Sequence, residues 1–205
     1  MAYMITDPES YFRRFIPPRD KLLLELERQA QEENVPIVGP LVGELLYILA
    51  RATNSRTVLE LGTATGYSAI CLARGLIGPD GKLTTLERDE TMATRASENI
   101  DRAGLADRVE VRVGEVIQLL QTLEGPYDVI FMDIDKEDYA AALPECRRLL
   151  RLGGLLVVDN VAFQGAKQFN HMIFSDRSWR SVVLYSFLPQ HAPEQDGLTL
   201  AVRIE

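Results

Sequence analysis

Short, almost wholly apolar segments alternating with helical patterns predict a doubly wound α/β sandwich, a mostly parallel sheet covered on both faces. Three observations carry that prediction. From Thr57 onward the chain alternates β-like and α-like stretches. The first of these strands runs straight into a helix through the glycine turn "GTATG". At the tail, "SWRSVVLYSFLP" and "GLTLAVRIE" are two strand patterns joined only by "QHAPEQD", so they are expected to pair as an antiparallel hairpin at one sheet edge.

The elements follow in order. "DKLLLELERQAQEE" has the apolar spacing of an amphipathic helix, ended near "NVPIVGP", where two prolines and a glycine interrupt it. "LVGELLYILARAT" is a second helix, apolar on most faces. The strands are "TVLELG", "KLTTLE", "RVEVRVG", "YDVIFMDI" and "GLLVVDN", with helical patterns starting near Tyr67, Asp89, Glu115 and Glu137. Pro144 is expected to restart the last helix, because proline fits a first turn better than a helix interior. No repeat or long linker divides the chain. It is therefore read as one domain, with residues 1–52 as an N-terminal helical segment and 53–205 as the α/β core.

Composition narrows the function. The chain has 205 residues, enough for a full core, with 46% hydrophobic and 25% charged residues, as in a soluble globular protein. No apolar run approaches the roughly 20 residues that cross a bilayer, and "MAYMITDPESYFRRF" lacks the apolar stretch of a secretory signal, so no membrane partner is expected. Cys71 and Cys146 have no metal-type spacing and read as reduced, buried thiols of a cytoplasmic protein. A net charge of −8 argues against broad binding to a phosphate backbone. Two local basic groups, Arg13, Arg14, Arg19 and Lys21, then Arg147, Arg148 and Arg151, read as solvated charge, the second also complementing a helix end.

In doubly wound sheets the ligand lies beyond the carboxyl ends of the strands, at the switch point. Here acids sit where five consecutive strands end: Glu60, Glu87, Glu115, Asp133 with Asp135, and Asp159 with Asn160. "GTATG" departs from the dinucleotide fingerprint, because Ala64 stands between Gly62 and Gly66, flanked by Thr63 and Thr65. A pyrophosphate is poorly served by nearby negative charge, whereas Glu60 and Asp133 suit a cationic ligand. S-adenosylmethionine carries a sulfonium and an ammonium against one carboxylate. Glu87 is placed to accept hydrogen bonds from ribose hydroxyls, and Glu115 with Val116 to flank adenine.

Through "LELGTATGYSA", "TLERD", "GEV", "YDVIFMDIDKEDY", "GGLLVVDNV" and "DGLTLA", in that order, the chain resembles the cation-dependent O-methyltransferases of the catechol and caffeoyl-coenzyme A type, within the Rossmann-like S-adenosylmethionine-dependent class. The resemblance runs from about "VPIVGP" to the terminus. It implies seven strands in the order 3-2-1-4-5-7-6, and a homodimer in which N-terminal segments take part. It also implies that Gly62, Thr63 and Gly66 shape the cofactor turn, with Tyr67 and Ser68 at the methionine end. Tyr67 is equally well explained by packing over the turn.

"FMDIDKEDY" and "VVDN" are the informative pieces. Asp133, Asp159 and Asn160 offer three oxygen ligands from two strand ends, which suits a hard divalent cation, Mg²⁺ first and then Mn²⁺ or Ca²⁺. Without Cys or His in these motifs, zinc and copper fit less well. Alone, "DN" is a turn and Asp133 a helix cap. By resemblance Lys136 aligns with the catalytic lysine, as general base or electrostatic partner of a substrate hydroxyl. Asp135 is placed by resemblance near the cofactor, though capping explains it as well, and Tyr139 belongs to the same motif. His171 is read as a helix residue and His191 as a loop residue, both apart from the site.

Two departures bear on substrate. Where the catechol enzymes carry a substrate-contacting glutamate, the aligned position is about Gln190. The segment "AFQGAKQFNHMIFSDRS" is short, whereas related bacterial enzymes that methylate a hydroxyuridine of transfer RNA have a longer, basic insertion there. "ENVPIVGP" does resemble a segment of those proteins. The expected substrate is a small hydroxylated aromatic, catechol-like or hydroxycinnamoyl-type, with transfer RNA as the alternative.

Overall fold

The computed structural model describes residues 3–205; Met1 and Ala2, the head of the stretch read as carrying no signal, lie outside the described residues. Seven strands form one sheet: β1 (Thr57–Leu61), β2 (Lys82–Glu87), β3 (Val109–Val113), β4 (Tyr127–Met132), β5 (Leu150–Val158), β6 (Trp179–Phe187) and β7 (Gln195–Arg203). Their order is β3-β2-β1-β4-β5-β7-β6, as the family resemblance implied. The first five run parallel, whereas β7 lies antiparallel to β5 and to β6.

The helices are α1 (Pro8–Phe12), α2 (Lys21–Glu33), α3 (Gly39–Ala52), α4 (Tyr67–Gly75), α5 (Glu90–Arg102), α6 (Val116–Thr122), α7 (Tyr139–Leu149) and α8 (Lys167–Ser175). Asp20 starts α2 by accepting from the Leu23 N–H at 2.9 Å, and Asp89 starts α5 by accepting from Met92 at 2.9 Å. Asn34 ends α2 in the left-handed conformation that short polar side chains tolerate.

The apolar strands are explained by two cores. Val58, Leu83, Val129, Phe131 and Val157 point to the side covered by α2 to α5. Their neighbours Leu59, Leu61, Ile130, Met132 and Val158 point to the side covered by α6 to α8. Successive side chains alternate faces, so a strand buried on both sides is apolar at most positions. A fully buried residue such as Phe131 contributes about 1.5–3 kcal/mol to the one face it enters.

The structure departs from the sequence expectation in four places. A first helix, α1, precedes the two expected, capped by Asp7, which accepts from the Ser10 N–H, with Pro8 in its first turn. α3 begins at Gly39, earlier than Leu41, because Pro40 occupies its first turn without loss of a hydrogen bond. β5 starts at Leu150, ahead of Gly154, and its register against β4 shifts between the Tyr127–Leu150 and Val129–Leu155 pairs. Pro144 does not restart a helix: α7 runs through it, after a 3₁₀ turn at Lys136–Asp138. Burial of Tyr139, Ala142, Leu143 and Cys146 around it outweighs the hydrogen bond that proline removes.

Candidate active site

The strand register builds the site. Leu61 pairs with Met132, and Met132 with Val158, so Gly62, Asp133 and Asp159 follow side by side. The Asp133 N–H donates to the Leu61 carbonyl at 2.9 Å, and that of Asp159 to the Met132 carbonyl at 3.1 Å. On the other flank the Gly62 N–H donates to Leu86, and Gly114 to Glu87. The chain reverses direction across the sheet between β1 and β4, and the cleft opens there, as expected for a switch point. The cleft has a volume of about 310 Å³ and runs from Glu115 and Val116 past Gly62 and Glu87 to Asp159 and Asn160. A smaller recess of about 90 Å³, lined by Thr63, Tyr67 and Ser68, shares its Gly62, Glu87 and Asp133 walls.

Gly62 is required by this crowding. Its φ is +93°, and a Cβ there would lie 2.1 Å from the Asp133 carbonyl oxygen. Gly66, at φ +85°, starts α4 and lies against Ala96, without lining the cleft. Glu87 stiffens the turn between them. Its Oε2 accepts from the backbone N–H groups of Thr63 at 3.1 Å and Ala64 at 2.8 Å, and its Oε1 from Asp89 at 3.0 Å.

Glu60 is not at the rim. It is fully buried beneath the turn, where its Oε2 accepts from the Thr85 hydroxyl at 2.6 Å, which is itself bonded to Thr63. Its Oε1 has no hydrogen-bond partner. Burial, against the hydrogen bond from Thr85, pushes this carboxyl up to about 8. Tyr67 is likewise buried, and its hydroxyl donates to Glu27 at 2.6 Å; Arg19 holds the same carboxylate from the other side. Asp135 stands exposed, paired with Arg88 at 2.6 Å across the mouth of the cleft.

Around Asp133 and Asp159 the polar groups are closely coupled. Burial, and then the Asp159 charge, raise the Asp133 carboxyl above its ordinary range, opposed by Lys136. Lys136 Nζ donates to Asp133 Oδ1 at 2.8 Å and to the Ile134 carbonyl at 3.0 Å. The Tyr139 hydroxyl donates to the Asp159 carbonyl at 2.9 Å and is itself held far above the usual phenol range, first by burial and then by the Asp133 charge. Asn160 Nδ2 donates to Asp196 Oδ2 at 2.7 Å, which fixes the amide with its oxygen as the remaining polar atom. Among the described residues no three His, Cys, Asp or Glu side chains form a metal-holding group; the set expected here is two carboxylates and an amide.

Sequence reasoning missed His191. It does lie in a loop, yet it is buried on the site: Nδ1 donates to the Pro193 carbonyl at 2.7 Å, and Nε2 lies 2.9 and 3.1 Å from the two Asp159 oxygens. Burial works against the charged ring, but the Asp159 carboxylate outweighs it and holds His191 above the ordinary histidine range. Pro36, Ile37 and Val38, ahead of α3, also line the cleft unforeseen. His171 lies on α8, as read.

Known proteins match this chain along most of its length. A family profile described as O-methyltransferase matches residues 18–184. The catechol O-methyltransferase of Niastella koreensis is 36% identical over 214 residues, covering 95% of each chain. The caffeoyl-CoA O-methyltransferase of Stellaria longipes is 26% identical, over 92% of this chain and 86% of its own. The crystal structure of an O-methyltransferase from Bacillus cereus in complex with S-adenosylhomocysteine (SAH) superposes with a TM-score of 0.86 at 32% identity, covering 96% of each chain.

Proposed function

The chain belongs to the O-methyltransferase family, and on that premise we propose that this S-adenosylmethionine-dependent enzyme uses a divalent cation to methylate a hydroxyl of a small catechol-like or hydroxycinnamoyl-type substrate. One observation carries the reading: Asp133, Asp159 and Asn160 line one cleft, immediately beside the glycine turn at Gly62. Lys136 and His191 each meet one of the two carboxylates, and a hard cation between them would take oxygens from both at once. The donor set therefore fits Mg²⁺, with Mn²⁺ or Ca²⁺ as substitutes.

The roles divide along the cleft. Glu87 accepts from the ribose hydroxyls, and Glu115 and Val116 flank the adenine. The turn at Gly62 and Thr63, with Ser68, receives the methionine end. Glu60 and Gly66 act beneath it, by supporting the turn. Asp133, Asp159 and Asn160 would hold the cation, which when bound would supply Lewis-acid polarisation of the substrate hydroxyl. Lys136 Nζ acts on this hydroxyl either as a neutral amine that takes its proton, or as the ammonium that Asp133 holds, which stabilises the oxygen's negative charge after the proton passes to solvent. The oxygen then attacks the methyl carbon opposite the sulfur, the carbon–sulfur bond breaks, and SAH departs. Holding two reactants in line lowers such a barrier by roughly 7–11 kcal/mol in well-oriented cases.

The cleft lining, with Glu87, Glu115, Asp133, Asp135 and Asp138 against Arg88 and Lys136, favours a small aromatic over a polyanion. We further infer a single methyltransferase domain acting as a cytoplasmic homodimer, consistent with two free, buried cysteines. Among the described residues no helix is long and apolar enough to cross a membrane.

The test offers labelled S-adenosylmethionine with a panel of phenols and with bulk transfer RNA, with and without chelator. Label should pass to vicinal diphenols only when the cation is present. Asp159→Ala should keep SAH binding by calorimetry and lose that turnover. Label in RNA alone would reverse the substrate reading, and turnover indifferent to chelator would end the cation reading.

A further inference from the structure

His191 is a buried ionisable side chain set directly against the Asp159 carboxylate, and the proposed chemistry leaves it without a task. Its setting is built from several directions. Gly39, at φ +69°, lets the start of α3 lie against the loop, since a Cβ there would be 2.6 Å from the Gln190 carbonyl oxygen. Gln190 takes a positive φ of 67°, and its N–H donates to Glu194 at 2.9 Å. The His191 N–H donates to the Leu188 carbonyl at 3.0 Å. From outside, Arg13 grips Glu194 with two nitrogens, and Arg19 reaches Gln190 at 3.4 Å. The N-terminal segment, whose arginines the sequence reads as solvated charge, instead pins the loop that carries the imidazole.

The ring is anchored at both ends. With Nδ1 committed to the Pro193 carbonyl, Nε2 faces the Asp159 carboxylate, bisecting its oxygens. The Asn160 N–H also donates to Asp159 Oδ1, at 2.8 Å. A carboxylate so held cannot rotate freely about its last torsion, and its oxygens meet an incoming ligand in one orientation. Groups that orient a metal ligand in this way affect metal affinity strongly. We propose that His191 is a positioning residue: through Nε2 it fixes the Asp159 carboxylate in the orientation that receives the divalent cation. The inference rests on the cation reading of the site, and the experiment separates the two.

Mn²⁺ is titrated into the SAH-loaded protein and the free ion followed by electron paramagnetic resonance. The wild type should bind one Mn²⁺ tightly. His191→Phe, which keeps the ring volume and loses the donor, should bind it about 10–100-fold more weakly. His191→Gln, which restores an N–H donor, should recover much of that loss. SAH affinity should stay within threefold of wild type in both variants. Should one variant fail to fold, as judged by circular dichroism, the other still decides, because only a donor at this position should preserve Mn²⁺ binding. Unchanged Mn²⁺ affinity in His191→Phe, or weak binding in a folded His191→Gln, overturns the positioning role and leaves the cation reading standing. Coupling of a directly bound histidine nitrogen to Mn²⁺ in pulsed spectra would also overturn it. A wild type that binds no Mn²⁺ sinks the cation reading itself.

Discussion

Glu60→Gln changes a single buried proton site while keeping side-chain shape, so it isolates the cost of an acid beneath the glycine turn. Glu60 is fully buried, its Oε1 lacks a partner, and its carboxyl is pushed up to about 8 from an ordinary 4.5. The folded protein therefore holds this proton more tightly than the unfolded chain does. The stability from that binding is fully present below pH 4.5 and is lost as pH rises from there through about 8. Each pH unit within the window costs about 1.4 kcal/mol. Near both ends the slope flattens, so from pH 6 to pH 8 the wild type should lose about 2 kcal/mol relative to the glutamine variant. Urea unfolding of the cofactor-free proteins at pH 6, 7 and 8 gives both stabilities, and all other titrating groups cancel in the comparison. In melting temperature the gap corresponds to a relative shift of about 4–8 °C for a chain of this size. The variant should gain on the wild type steadily with pH. Parallel curves would mean that Glu60 is ionised in the folded protein, and the argument from burial would be wrong.

Three further outcomes follow from the same geometry. Lys136→Met should lower kcat by about 10²–10⁴-fold with SAH affinity unchanged, measured by steady-state kinetics and calorimetry; an unchanged kcat removes Lys136 from the chemistry. Glu87→Ala takes away the acceptor of two turn N–H groups and of the proposed ribose hydroxyls, so SAH should bind about 10–100-fold more weakly. Gly62→Ala puts a Cβ 2.1 Å from the Asp133 carbonyl oxygen at a φ of +93°, which should destabilise the fold by about 2–5 kcal/mol in denaturant titration.

What the sequence displayed, and what it hid, follows from how far each feature depends on distant residues. The strands were legible because Val58 and Leu59, or Phe131 and Met132, must each enter a different core, which leaves an unbroken apolar run in the chain itself. Asp133 and Asp159 could be brought together on paper once their strands were neighbours, since each follows the last paired residue. Glu60 was misplaced at the rim because an acid near a strand end looks the same whether it faces ligand or lies under the turn; the difference is made by Thr85, one strand away. Pro144 and the early start of β5 were set by tertiary packing, which overrides local preference. His191 had no local signal at all. Its partner is 32 positions distant, and its burial depends on Gly39 in α3 and on the arginines of the N-terminal segment.

The "DGL" motif shows the converse, a pattern visible in the sequence whose purpose only geometry supplies. Asp196 is fully buried, and its carboxylate accepts from Asn160 Nδ2 at 2.7 Å, from the Gly197 N–H at 2.6 Å and from the Ala162 N–H at 3.2 Å. The bonds from Asn160 and Ala162 tie β7 to the turn after β5, while the Val161 N–H donates back to the Gly197 carbonyl at 3.0 Å. A Cβ at Gly197 would lie 2.9 Å from a methyl carbon of Val161, so the residue after Asp196 must be small for the two segments to meet. The antiparallel hairpin therefore does more than close one edge of the sheet. It delivers the acid that turns the Asn160 amide, while His191 in its connecting loop holds Asp159. Two ligands of the proposed cation site, adjacent in sequence, are thus oriented by two groups from one hairpin, and a shift of β7 against β5 would disorient both together.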